Sequence, residues 1–114
     1  MEANRIWHKR FHAKAGVSVE SHRARATKSN VYVVGSVRNA GKDSWDGVVL
    51  EVRLLDSKGD LLRVCRGHVN GPVRPEQVRD FQVDCQGSGW EPVPRYGKYT
   101  IAIVDARYEL DEGT

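Results

Sequence analysis

The chain has 114 residues, 39% of them hydrophobic and 29% charged, which fits one domain with its own apolar core. No apolar run approaches the roughly 18–20 residues needed to cross a bilayer as a helix, and the first sixteen residues lack the apolar stretch of a secretory signal. The formal net charge of +3 hides an asymmetry: residues 1–29 hold seven Lys/Arg against two Asp/Glu, and residues 30–114 hold eleven against thirteen. A basic arm therefore precedes a mildly acidic body, and such arms attract phosphate backbones, anionic lipids or acidic protein faces.

Residues 1–16 form that arm. Ile6, Trp7 and Phe11 recur at roughly helical spacing, and Gly16 suits a helix end, so a short helix is expected. Arg5, Trp7, Lys9, Arg10, Phe11 and Lys14 interleave basic and aromatic side chains, a combination that serves a partner contact or nucleic-acid binding. The plainer alternative docks Trp7 and Phe11 on the body and leaves the charges in water. His8 and His12 are four residues apart, but two histidines leave a metal shell half empty even with His22 or Glu2 nearby, so no metal and no cofactor is expected.

From Val17 the period changes to two. A first strand runs towards Ala26, and a second from Asn30 to Arg38 puts Val31, Val33 and Val37 on one face with Gly35 between them. Asn39-Ala40-Gly41-Lys42 is a turn cluster. The third strand, about Asp46 to Asp56, buries Val48, Leu50, Val52 and Leu54. Gly59 and Gly41 suit turn positions where a side chain would strain φ, and Asp56 can accept hydrogen bonds from its own turn, so strands three and four (Asp60 to Val69) pair antiparallel. A fifth strand, Glu76 to Cys85, aligns Phe81, Val83 and Cys85. A proline-bearing loop follows, and the last strand, about Gly97 to Tyr108, aligns Tyr99, Ile101 and Ile103. The partition is an arm at 1–16, an all-β domain at 17–108 with six or seven antiparallel strands in two facing sheets, and a tail at 109–114.

Cys65 and Cys85 admit three states: a disulfide, two reduced core thiols, or metal ligands, the last poorly served by a twenty-residue spacing. Cys85 shares a face with Phe81 and Val83. Cys65 falls on the other parity from Leu62 and Val64, which predicts that it is the more accessible of the two.

Val34-Gly35-Ser36-Val37-Arg38-Asn39-Ala40-Gly41 resembles the hGxVxNxG opening of the FxLYD family and its bacterial immunoglobulin-like relatives. Val49 to Gly59 resembles the segment that names that family, with Val52 for its Phe and Leu55 for its Tyr, while Leu54 and Asp56 match. Val73-Arg74-Pro75-Glu76-Gln77-Val78 resembles the approach to the next strand, with Glu76 where the family has Gly and Phe81 in the aromatic slot. The resemblance spans Val17 to Tyr108. It implies an immunoglobulin-like sandwich of the bacterial cell envelope, without catalytic residues.

No serine lies in a G-x-S-x-G context, and no glycine loop precedes a Lys-Ser/Thr helix start, so no enzyme is expected. His68, at a strand end, reads as a surface residue. Trp45 and Trp90, both in predicted loops, suit a partner or a sugar, or alternatively close the ends of the core. The expected function is a noncatalytic module for protein–protein contact. The alternatives are a nucleic-acid-associated protein using the arm and a carbohydrate-binding module using the tryptophans. Oligomeric state and compartment are open: the resemblance favours the envelope, and a native start at Met1 would favour the cytoplasm.

Overall fold

A computed structural model describes residues 11, 15–27, 30–86 and 95–108. Six strands and no helix occur among them: β1 (Val17–Ala26), β2 (Asn30–Asn39), β3 (Trp45–Leu55), β4 (Leu61–His68), β5 (Val78–Gln86) and β6 (Lys98–Tyr108). The helix expected in the arm, and the residues Arg5, Trp7, Lys9, Arg10, Lys14 and Trp90, lie outside the described residues.

The strands form two antiparallel sheets, in the orders β1-β2-β5 and β4-β3-β6. Their facing sides carry the alternating rows read from the sequence. Val33, Val37, Val48, Leu50, Val52, Leu54 and Val83 are completely excluded from solvent, with Val31, Phe81 and Cys85 nearly so. Burying such aliphatic side chains contributes about 1.5–3 kcal/mol each before chain entropy is counted. This is a β-sandwich.

The two sheets are joined covalently on one side. Cys65 of β4 and Cys85 of β5 form a disulfide with Cα atoms 5.4 Å apart. Of the three states the spacing allowed, the cross-link is the one adopted. Cys65 is the more accessible of the two, at 7% exposure against 1% for Cys85, yet it too is buried. The register explains this: Cys65 pairs with the inward-facing Val52, so positions 63, 65 and 67 of β4 face the core and Leu62 and Val64 face outward, while a register irregularity at Leu54–Leu55 brings Leu61 to the outer side as well.

On the opposite side the seam between β1 and β6 is looser. Val17, Val19, Ala24, Tyr99, Ile101 and Ile103 pack against the core but are only half-buried or partly covered. His22 and Tyr99 share a hydrogen bond of 2.7 Å across this seam, with their rings edge to face at 5.5 Å. Burial, and secondarily the neighbouring Tyr96, hold the Tyr99 hydroxyl above its ordinary 10.0.

Two of the turn glycines have distinct causes. Gly59 takes φ +89° beside Asp56, whose Oδ1 accepts from the amides of Lys58 and Asp60, both at 2.9 Å. Gly41 does not have a positive φ; its constraint is proximity, because a Cβ there would collide with the Ala15 carbonyl. Gly35 is held the same way. A bulge in β1 between Val19 and Ser21 pushes the Ser21 carbonyl onto Gly35, leaving no room for a methyl group.

Asn39 stands where the chain crosses between sheets, and it is fully buried. Its Nδ2 donates to the carbonyls of Asp43 (2.7 Å) and Val73 (2.9 Å), and its Oδ1 accepts from the Gly41 amide (2.9 Å). Its own amide donates to Gln77 O, and its carbonyl accepts from Glu76 N. Glu76, the donor in that last contact, takes φ +70°, a left-handed conformation that a side chain disfavours.

Candidate interaction surface

Trp45 is the first residue singled out in the sequence that the structure relocates. It opens β3 and is completely buried, with Phe11 at 5.2 Å and Tyr108 at 5.9 Å, both edge to face. Its amide and carbonyl pair with Val73. Its ring therefore closes the end of the core and presents no face to a sugar or a partner. Its Nε1–H finds no acceptor among the described residues. Phe11, read as an arm residue for partner contact, is half-buried against it. His68, at the end of β4, is exposed. Among the described residues no group of three or more His, Cys, Asp or Glu side chains is placed to hold a metal ion, and no helix is long and apolar enough to cross a membrane.

The outer faces of the two sheets differ. That of β1-β2-β5 is mainly polar: Arg23, Arg25, Ser36, Asp80, Gln82 and Asp84 project from it beside Tyr32, Val34 and Val78, and the Ser21 and Ser36 hydroxyls share a 2.9 Å hydrogen bond. A broad depression of about 610 Å³ crosses this face between Arg23 and Asp80. Arg38 of β2 lies 3.6 Å from Glu20 and 3.8 Å from Glu76, an exposed arrangement of small energetic weight.

The outer face of β4-β3-β6 is amphipathic. The large hydrophobics exposed among the described residues are Leu61, Leu62, Val64, Val78 and Val104. All but Val78 belong to β4 or β6. Alternation places Leu62 and Val64 outward on β4 and Val104 outward on β6, with Leu61 at the end of the same face.

At the middle of that face sits Glu51, a carboxylate 8% exposed. The register places Arg66 directly opposite it on β4, and Arg53 two residues along β3. Arg53 Nε donates to Oε1 at 2.8 Å. Arg66 donates to Oε2 through Nε at 3.0 Å and Nη2 at 2.8 Å. These bonds, from Arg53 first and then Arg66, hold the Glu51 carboxyl below its ordinary 4.5 against the opposing effect of burial. The Arg53 and Arg66 side chains remain 56% and 67% exposed, so the carboxylate is consumed while both cations stay at the surface. Catalytic and metal-ligating patterns in the sequence do not reveal this triad. The alternation of Glu51 and Arg53 with buried Leu50, Val52 and Leu54 signals two residues on one outer face, but Arg66 joins them only through the strand register.

Comparison of the chain with family models, with curated proteins and with solved structures found no match.

Proposed function

We propose that this protein is a noncatalytic immunoglobulin-like module of the FxLYD type that mediates protein–protein contact through the outer face of β4-β3-β6. The observation that carries the reading is the concentration of exposed Leu61, Leu62, Val64 and Val104 on one sheet face around the Glu51–Arg53–Arg66 triad. Grouped apolar side chains rimmed by arginine are the composition of an interface centre, and a solvated sheet face would alternate to polar residues there. The free edges of β1 and β6 offer a second mode of contact, by strand addition. A bacterial cell-envelope location accords with the Cys65–Cys85 disulfide, since such bonds persist in oxidising compartments.

The test is site-specific photo-crosslinking in the organism that makes the protein. A benzophenone amino acid at Val64 is expected to give discrete protein adducts, whereas the same probe at Gln82, on the polar face, gives none. Equal adducts from both positions, or none from Val64, would remove the β4-β3-β6 face as the contact surface.

A further inference from the structure

The ion triad does more than satisfy a buried carboxylate. Glu51 uses both oxygens on three N–H donors, which orients the Arg66 guanidinium through two bonds and tethers that of Arg53 through one. On Arg66 the Nε/Nη2 edge is occupied, and the Nη1 end of the group has no hydrogen-bond partner among the described residues. On Arg53 only Nε is engaged, so Nη1 and Nη2 are free in the same sense. Two arginines against one glutamate leave the cluster with a net positive charge. Guanidinium edges that are already immobilised lose little further side-chain entropy when they take an oxyanion, and their planar donors match a carboxylate in bidentate fashion.

The surroundings select the source of that oxyanion. Val64 lies directly across from Arg53, and Leu62 and Val104 extend the apolar surface to either side. A small free anion would gain nothing from these groups. An extended chain that alternates acidic and apolar side chains would satisfy both features at the two-residue period of a strand.

We propose that Arg53 and Arg66 form a preorganised carboxylate-docking fork for an extended acidic–apolar segment of a partner protein. This rests on the assignment of the β4-β3-β6 face as the contact surface and adds the chemistry of what it receives. Glu51 is the positioning residue of the fork.

The experiment titrates the full chain, labelled with nitrogen-15, with the synthetic peptide Thr-Val-Glu-Val-Glu-Val-Thr, its counterpart with Gln for Glu, and its counterpart with Ser for Val. The Glu peptide is expected to shift the Nε–Hε signals of Arg53 and Arg66 and to bind at least tenfold more tightly than either counterpart. Arg53→Gln and Arg66→Gln should each lose at least tenfold. Arg66→Lys, which keeps a cation beside Glu51 without the planar edge, should lose a similar factor and serves if Arg66→Gln does not fold. Glu51→Gln should weaken the Glu peptide although it removes a negative charge, because the forks lose their fixed orientation; tighter binding would overturn the positioning role. Equal binding of Glu and Gln peptides, no binding of either, or unmoved arginine signals would overturn the fork. If equal binding is nevertheless abolished by Leu62→Ser/Val64→Ser, the contact face stands and only carboxylate recognition falls. Self-association in sedimentation that Leu62→Ser/Val64→Ser abolishes would assign the face to a second copy and overturn the acidic partner.

Discussion

Replacing Asn39 by aspartate tests whether the crossing between sheets depends on hydrogen-bond direction or on shape. The two side chains have nearly the same volume, so packing is preserved. Asn39 donates twice, to Asp43 O and Val73 O, and accepts once, from Gly41 N. Truncation to Ala removes three bonds and leaves the Gly41 amide without its acceptor. At about 1 kcal/mol for the bond to Asp43 O and about 2 kcal/mol for the Gly41 amide left without its acceptor, Asn39→Ala should cost about 3 kcal/mol. Val73 O keeps the Trp45 amide as a donor, which limits the loss. Asn39→Asp keeps the Gly41 bond but turns an acceptor oxygen towards two carbonyl oxygens, at positions where donors now sit 2.7 and 2.9 Å away. It should therefore cost about 1 kcal/mol more than Asn39→Ala at neutral pH. In a domain of this size, a loss of about 3 kcal/mol corresponds to a fall in Tm of roughly 12–24 °C.

The pH dependence gives the sharper reading. The carboxyl introduced by Asn39→Asp faces carbonyls and has a folded pKa above its unfolded one, so the folded state binds more protons in the window between them. The variant should thus gain stability as pH falls from about 7 to 5, recovering one donor on protonation. Urea unfolding followed by far-ultraviolet circular dichroism across that range measures it. If Asn39→Asp leaves the protein as stable as the parent at neutral pH, or if the variant's stability does not rise on acidification, the assignment of donors at this site is refuted.

Three further perturbations have definite signs. Glu76→Gly should raise stability by about 0.5–1 kcal/mol, because the left-handed φ of +70° suits glycine and the 3.8 Å contact with Arg38 is largely exposed; thermal melts showing a loss would contradict the strain. Reduction of the Cys65–Cys85 bond, or the double Cys→Ser variant, should cost about 3 kcal/mol from the entropy of a twenty-residue loop, read as a lower urea midpoint in reductant. Glu51 has a folded carboxyl held below 4.5, so its contribution is complete above that value and is lost as pH falls through the folded pKa; Glu51→Gln should flatten the acid limb of the stability curve below pH 4.5, measured by urea midpoints.

Much of the architecture is legible in the sequence because it rests on a local period. Val48, Leu50, Val52 and Leu54 alternate without interruption, and all four are fully buried. The Asp56–Gly59 turn declares itself through residue chemistry. The glycine at 35 is visible, but its cause is not, since it depends on a bulge in a neighbouring strand. Trp45 reads as a loop residue because Ser44 and Asp46 flank it; its burial follows from Phe11, Val73 and Tyr108, residues distant in sequence. The inversion of β4 is the most instructive difference. Leu62 and Val64 look like an inward row, yet the core takes Cys65 and the leucine–valine row faces out. The apolar outer surface and the burial of Cys65 are thus one fact, invisible until the partner strand fixes which parity turns inward.

The sandwich is bound unequally along its two long sides. Where β4 meets β5 the layers are riveted by sulfur; where β1 meets β6 they are held by a histidine–tyrosine latch and by side chains only partly withdrawn from water. Such a body behaves as a book with a sewn spine: thermal breathing is confined to the fore-edge, and a tensile load that parts the layers peels them there first while the stitched side keeps them in register.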